Sequence, residues 1–172
     1  MIEIKQILPE NKNDANIPNQ PFKIWGKMIP SLRDGEWDYQ IVEFTKNTEM
    51  CFPDCFYDVN DEDSIFYGAY DRDTCIGVAV LRKGMFKYLY LDDLKINVKY
   101  RRQGVGAMLI RACLEKANTE HMKGIFTIGQ DNNLSACLFY INQGFKIGGF
   151  DNNVYQGTPQ EGKADIVFYL DC

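Results

Sequence analysis

The chain has 172 residues, 45% of them hydrophobic, and sets 24 acidic side chains against 19 Lys and Arg, a net charge of −5. That length suits one domain spanning residues 1–172, able to bury a core without disulfide or metal staples. The acidic balance, with no basic stripe, excludes a nucleic-acid partner.

Ile2, Ile4, Gln6 and Leu8 begin a short strand that Pro9 ends. The first five residues lack the pattern of a secretory signal, and no apolar run approaches the roughly 20 residues of a membrane span. A cytoplasmic protein with no membrane partner is expected. Asn11–Pro21, with two prolines and four asparagines, reads as a loop. From Phe22 the pattern is that of a hairpin: Phe22, Ile24, Gly26 and Met28 alternate, Pro30–Gly35 supplies the turn, and Trp37, Tyr39 and Ile41 alternate on return. Between Asp34 and Asp73, twelve acidic residues face only Lys46 and Arg72. Taken alone, such a run is a solvated surface; beside a binding site it would attract a small cation.

Three strands follow, Ser64–Tyr70, Cys75–Leu81 and Tyr88–Val98. A helix then runs from Val105 to about Glu120, with Val105, Met108, Leu109, Ala112 and either Cys113 or Leu114 inward, and Arg111, Glu115 and Asn118 outward. Ile125–Ile128 is a buried strand, Asn133–Asn142 a helix stopped by Gly144, and Phe145–Phe150 and Asp165–Leu170 the last strands. Antiparallel strands first and crossover helices later predict an α/β (α+β) domain. Its core would be one central, mixed but mostly antiparallel sheet of about seven strands with helices on both faces. Cys51 and Cys55 are four apart, but no second Cys or His pair completes a zinc site, so no metal is expected.

The most telling segment is Arg101-Arg102-Gln103-Gly104-Val105-Gly106, at a strand-to-helix junction. A glycine-rich helix start bares backbone N–H groups at the positive end of the helix dipole, and the arginines add forked donors. This is a phosphate cradle. It is not a Walker loop, which needs Gly-x-x-x-x-Gly-Lys-Ser/Thr, nor a dinucleotide fingerprint, whose third glycine is replaced here by Leu109. It resembles the pyrophosphate loop of the GNAT superfamily of acetyl-CoA-dependent N-acetyltransferases. The later run Asn133-x-x-Ala136-x-x-Phe139-Tyr140-x-x-x-Gly144-Phe145 is similar to that superfamily's second signature.

The resemblance implies acetyl-CoA as co-substrate, with its diphosphate on Arg101, Arg102, Gln103, Gly104, Val105 and Gly106. It implies that backbone groups of Leu94, Lys95 and Ile96 pair with the pantetheine amides, and that Asn133 contacts the same arm. Asn133 would also serve as a helix N-cap without any ligand. Tyr140 matches the family's general acid beside the CoA sulfur, and Asp92 the acidic residue that takes the amine proton, directly or through water. Asp92 and Asp93 are adjacent in one strand, so they are expected on opposite faces. A carboxylate there is costly unless paired or functional. The family usually places one or two helices over its acceptor site where this chain reads as a hairpin, a departure from its pattern.

Asp61-Glu62-Asp63-Ser64-Ile65-Phe66-Tyr67-Gly68-Ala69 and Gly144-Phe145-Lys146-Ile147-Gly148-Gly149-Phe150-Asp151, with Tyr155 following, resemble the corresponding stretches of streptothricin acetyltransferases. Those enzymes acetylate an amine of a polycationic antibiotic. The implied acceptor is a small cationic amine, met by Asp61, Glu62, Asp63, Tyr90 and Tyr155. Polyamine, aminoglycoside or protein acetylation, or a non-catalytic acyl-CoA sensor, remain the alternatives, and a homodimer is compatible with the sequence.

Overall fold

The structure is a computed structural model that describes residues 1–84 and 86–172. In chain order its strands and α-helices are β1 Ile2–Gln6, β2 Phe22–Arg33, β3 Glu36–Met50, β4 Ser64–Asp71, β5 Thr74–Arg82, β6 Tyr88–Ile96, α1 Val105–Thr119, β7 Gly124–Gln130, α2 Leu134–Asn142, β8 Lys146–Asp151 and β9 Asp165–Asp171. Seven strands form one mostly antiparallel sheet in the order β1-β4-β5-β6-β7-β9-β8, and β2 and β3 form a separate two-stranded sheet. The expected mixed α/β architecture is therefore present. These elements divide between two compact units. The first comprises Met1–Gln20, Phe52–Ile125 and Asp171–Cys172, the second Pro21–Cys51 and Phe126–Leu170.

In the first unit β5 is buried from Ile76 through Leu81, the near-continuous apolar run of a strand covered on both faces. It pairs antiparallel with β4 and β6, and β1 closes the row against β4, from Ile2 opposite Asp71 to Gln6 opposite Tyr67. A core of Ile7, Ala15, Tyr57, Phe66, Val78 and Val80 fills one face. Helix α1 buries Val105, Leu109, Ile110, Cys113 and Ala117, which selects Cys113 over Leu114, while Arg111, Glu115 and Asn118 are exposed. The segment expected as a loop from Asn11 is instead 3-10 helical over Pro9–Asn16. Two of its asparagines, Asn11 and Asn16, make tertiary bonds. Asn11 Nδ2 donates to the Tyr70 hydroxyl at 2.7 Å, and that hydroxyl donates to Asp14 at 2.8 Å. Asn16 both accepts from the Tyr57 amide at 2.7 Å and donates to its carbonyl at 2.9 Å.

In the second unit the expected hairpin is present, but its turn is tighter than Pro30–Gly35. Strand β2 runs through Pro30 to Arg33, and only Asp34 (φ 51°) and Gly35 (φ 83°) turn the chain. Two successive positive φ values make a turn whose twist matches the flanking strands, which Asp-Gly supplies at low cost. Pro30 is tolerated because a two-stranded ribbon has an edge for the residue without an N–H. Gly26 marks a register shift, where a Cβ would lie 2.6 Å from the Val42 oxygen and 2.9 Å from Leu134 Cδ2. Its lack of a side chain lets the ribbon lie close on α2. Trp25 Nε1 donates to Ser135 Oγ at 2.9 Å, and the Met28 amide donates to the Asp131 carbonyl at 3.0 Å. Helix α2 ends as expected, with Gly144 at φ 91° and the Phe145 amide donating back to the Tyr140 carbonyl at 3.1 Å.

Candidate functional site

In the first unit the junction between β6 and α1 is shaped by internal hydrogen bonds. The Arg101 Nε donates to the Ile96 carbonyl at 3.1 Å, and Gln103 donates to the Lys99 carbonyl at 2.8 Å. The Val98 amide donates to Gln20 Oε1 at 2.6 Å. Arg102 takes φ 61° and Gly104 φ 83°, folding the backbone so that α1 begins immediately after. Gly104 is the N-cap, without a side-chain capping bond and with no acidic residue in the first turn. The first amides of α1 are thus left to an external acceptor, the arrangement that binds phosphate. No heavy atom lies within 4 Å of a Cβ built on Gly104, so φ alone requires glycine there.

Just before this turn, Leu94, Lys95 and Ile96 pair with Ala79, Val78 and Gly77 of β5. The register slips here. Val80 faces Asp93 while Leu81 faces Leu91, which makes Asp92 the extra residue of a β-bulge. The expectation that Asp92 and Asp93 point to opposite faces is overturned, because the bulge breaks the two-residue alternation. Both carboxylates join one cluster around Tyr57. Arg82 Nε donates to Asp92 Oδ2 at 2.8 Å, and Lys95 Nζ lies 3.1 Å from Asp93 Oδ2. The Tyr57 hydroxyl donates to Asp93 Oδ2 at 3.3 Å. The Arg82 and Lys95 cations sit 5.9 and 5.6 Å from the centre of the Tyr57 ring. Burial first, then the charges of Asp93 and Asp92, push the Tyr57 hydroxyl far above the ordinary tyrosine range, so it is a donor and never a base here. The bond to Asp92 favours the charged Arg82 guanidinium further. Tyr90, half-buried, stands opposite Arg82.

Asp61, Glu62 and Asp63 are exposed in the turn before β4. Asp61 accepts from Ser64 Oγ at 2.7 Å and from the Asp63 amide at 3.1 Å, bonds that hold its carboxyl below the usual range. Asp63 lies 3.6 Å from Lys83 Nζ. Of the three, Asp61 has a local task in shaping its own turn.

In the second unit Tyr140 is buried on α2, its ring packed by Phe145 at 5.3 Å and by Phe139 and Phe168 at 5.5 Å. Asn133 is the N-cap of α2, accepting from the Ala136 amide at 3.4 Å. Tyr155 donates to Asp165 Oδ1 at 2.6 Å. Burial and that bond push the Tyr155 hydroxyl up to about 12, and burial raises the Asp165 carboxyl. The turn Gln130, Asp131 and Asn132, absent from the sequence expectations, is buried. Four polar residues in a row directly after an apolar strand were the available signal, since α/β proteins bind ligands at the carboxyl ends of strands. Among the described residues no group of three or more His, Cys, Asp or Glu could hold a metal ion, and no helix is long and apolar enough to cross a membrane.

The model of the acetyltransferase (GNAT) family matches residues 29–145. Streptothricin acetyltransferase A of Bacillus subtilis (strain 168) is 33% identical over 162 residues, which cover 92% of this chain and 94% of that protein. A crystal structure assigned as a streptothricin acetyltransferase of Bacillus anthracis str. Ames, in complex with acetyl coenzyme A, superimposes with a TM-score of 0.91 at 29% identity over the whole of both chains. The fold is also that of a nourseothricin acetyltransferase, with a TM-score of 0.82 at 21% identity, covering 99% of this chain and 98% of that one. With the two signatures in place on α1 and α2, the chain belongs to the GNAT family and is an acetyl-CoA-dependent N-acetyltransferase.

Proposed function

We propose that the enzyme moves an acetyl group from acetyl-CoA to a primary amine of a streptothricin-type antibiotic, acting as one catalytic domain that confers resistance. The likeness to the B. subtilis enzyme over nearly the full length of both chains carries the assignment. The acidic excess between Asp34 and Asp73 suits a polycationic acceptor. Six free cysteines suit a reducing, cytoplasmic setting.

In this mechanism the turn from Arg101 through Arg102, Gln103, Gly104 and Val105 to Gly106 holds the diphosphate, and backbone groups of Leu94, Lys95 and Ile96 hold the pantetheine arm together with Asn133. The neutral amine attacks the thioester carbonyl, forming the C–N bond, and the tetrahedral intermediate collapses with loss of the C–S bond. Tyr140 gives its proton to the departing thiolate. Asp92, held by Arg82, takes the amine proton, directly or through a water. Asp61, Glu62, Asp63, Tyr90 and Tyr155 serve the acceptor.

The test is thiol release from acetyl-CoA with streptothricin, spermidine, an aminoglycoside and a peptide amine as acceptors. A kcat/KM for streptothricin well above the others is expected. A preference for any of the others would move the acceptor and leave the acetyltransferase in place.

A further inference from the structure

Within the second unit, the end of β7 and the start of β9 bring together groups that the chemistry above leaves unused. Gln130 is 7% exposed, and its Oε1 has no hydrogen-bond partner among the described residues; the same holds for Oδ1 of Asn132, also 7% exposed. A buried amide oxygen without a donor is unfavourable and rare in a native fold. The Gln130 side chain lies beside the Tyr155 hydroxyl, which is itself spent on Asp165. Asp165 has no cationic partner among the described residues. The charges that reach it are those of Asp151 and Asp131, both negative. Asp151 is its register partner across β8 and β9. The two nearby lysines, Lys27 and Lys163, act on Asp131, and Lys163 is already engaged by Gln160 and Met50. Asp131 is further fixed by the Ala164 amide, which donates to its Oδ1 at 3.2 Å. The result is a half-buried carboxylate and amide oxygens that accept and do not donate, on a frame held by Met28 and Ala164.

We propose that Asp165 and the amide oxygen of Gln130, with Asn132 two residues along the same turn, form a subsite for a second cationic group of the acceptor, an ammonium or guanidinium that is not acetylated. Such a group supplies the donors and the charge that these residues lack. The absence of a metal-binding group among the described residues favours an organic cation. The mechanism above assigns the reacting amine to Asp92, which leaves this second carboxylate for a cation that stays charged. Tyr155 is then a positioning residue, holding one oxygen of Asp165 and leaving the other for the ligand. The subsite rests on the polycationic acceptor proposed above and adds the residues that would select for it.

Streptothricin and hexylamine, which offers one amine and no second cation, are compared as acceptors for the native enzyme, Asp165→Asn and Gln130→Leu. The ratio of their kcat/KM values should fall about ten- to hundredfold in both variants, mainly through the KM for streptothricin, as expected for a lost hydrogen bond to a charged group. Gln130→Leu removes an unpartnered buried oxygen but also the amide contact with the Tyr155 hydroxyl, so the melting temperature of each variant is measured and the ratio is read only in variants that remain folded, separating lost recognition from lost folding. An unchanged ratio in both folded variants overturns the subsite and leaves the antibiotic assignment standing. If the native enzyme does not turn over streptothricin, the antibiotic assignment falls. The ratio is then read with hexamethylenediamine in place of streptothricin, and a fall supports the subsite while no change overturns it.

Discussion

The hydroxyl of Tyr57 donates to Asp93 Oδ2 at 3.3 Å, while Asn16 grips the backbone of the same tyrosine from both its amide and its carbonyl. A residue in an irregular segment is thereby fixed against the bulged strand that precedes the glycine-rich turn before α1. Tyr57→Phe keeps the ring and its packing on Phe66 and deletes only the bond to a carboxylate. The expected loss is about 1.5–3 kcal/mol of folding stability, read from the midpoint of urea unfolding. No change in midpoint would mean that Lys95 alone satisfies Asp93.

Gly104 separates backbone strain from charge. Gly104→Ala meets no atom but must hold φ 83°, at about 1–2 kcal/mol. Gly104→Asp adds a negative group at the N-terminus of α1, where the diphosphate is expected. Calorimetry should show CoA affinity more than tenfold weaker in the Asp variant than in the Ala variant. Equal affinities would remove the phosphate from this turn.

Tyr140→Phe should leave α2 intact, because the contacts with Phe139, Phe145 and Phe168 involve the ring. Loss of a general acid lowers turnover by about 10²–10⁴-fold, with acetyl-CoA affinity nearly native. Full turnover where chemistry limits the rate would make the residue a packing element only.

Alkali should destabilise the protein in a defined window. Tyr57, Tyr67, Tyr70, Tyr88, Tyr100 and Tyr155 all have hydroxyls raised above the ordinary tyrosine range, so the native state keeps protons that the unfolded state releases. Stability from these groups is fully present below pH about 10 and is lost as pH rises through the folded values, near 12 for Tyr155. The tyrosinate absorbance of the native protein should lag that of the urea-unfolded protein across this range. Coincident titration curves would contradict the burial of Tyr57, Tyr67, Tyr70 and Tyr155 and the carboxylate bonds of Tyr88 and Tyr100 that raise these hydroxyls.

Much of the fold is legible from local pattern. The β2–β3 hairpin follows from alternation and an Asp-Gly pair, the buried stripe of α1 from helical spacing, and the anion turn from two glycines behind two arginines. What is hidden depends on two segments at once. The bulge at Asp92 arises from how β5 and β6 register, and no single strand announces it. Asn11 and Asn16 read as loop formers because their partners, Tyr70 and Tyr57, are remote in sequence. Pro30 looked like turn chemistry, yet a ribbon edge absorbs it. The polar run from Gln130 through Asn132 was a signal in the sequence, but its burial depends on the hairpin and the approach to β9 that hold it.

Strand β1 has a role beyond completing the sheet. It is five residues long, lies at one end of the strand order, and carries the exposed Glu3–Lys5 ion pair on its polar side. Short, charged strands of this kind discourage edge-to-edge association between molecules. The strand it covers, β4, is far more apolar, with Phe66, Ala69 and Tyr70 buried. Detachment of β1 would bare the unpaired backbone of β4 and uncover the core that Ile7 and Ala15 close. The five residues of β1 thus set a short, charged edge where the apolar β4 would otherwise end the sheet.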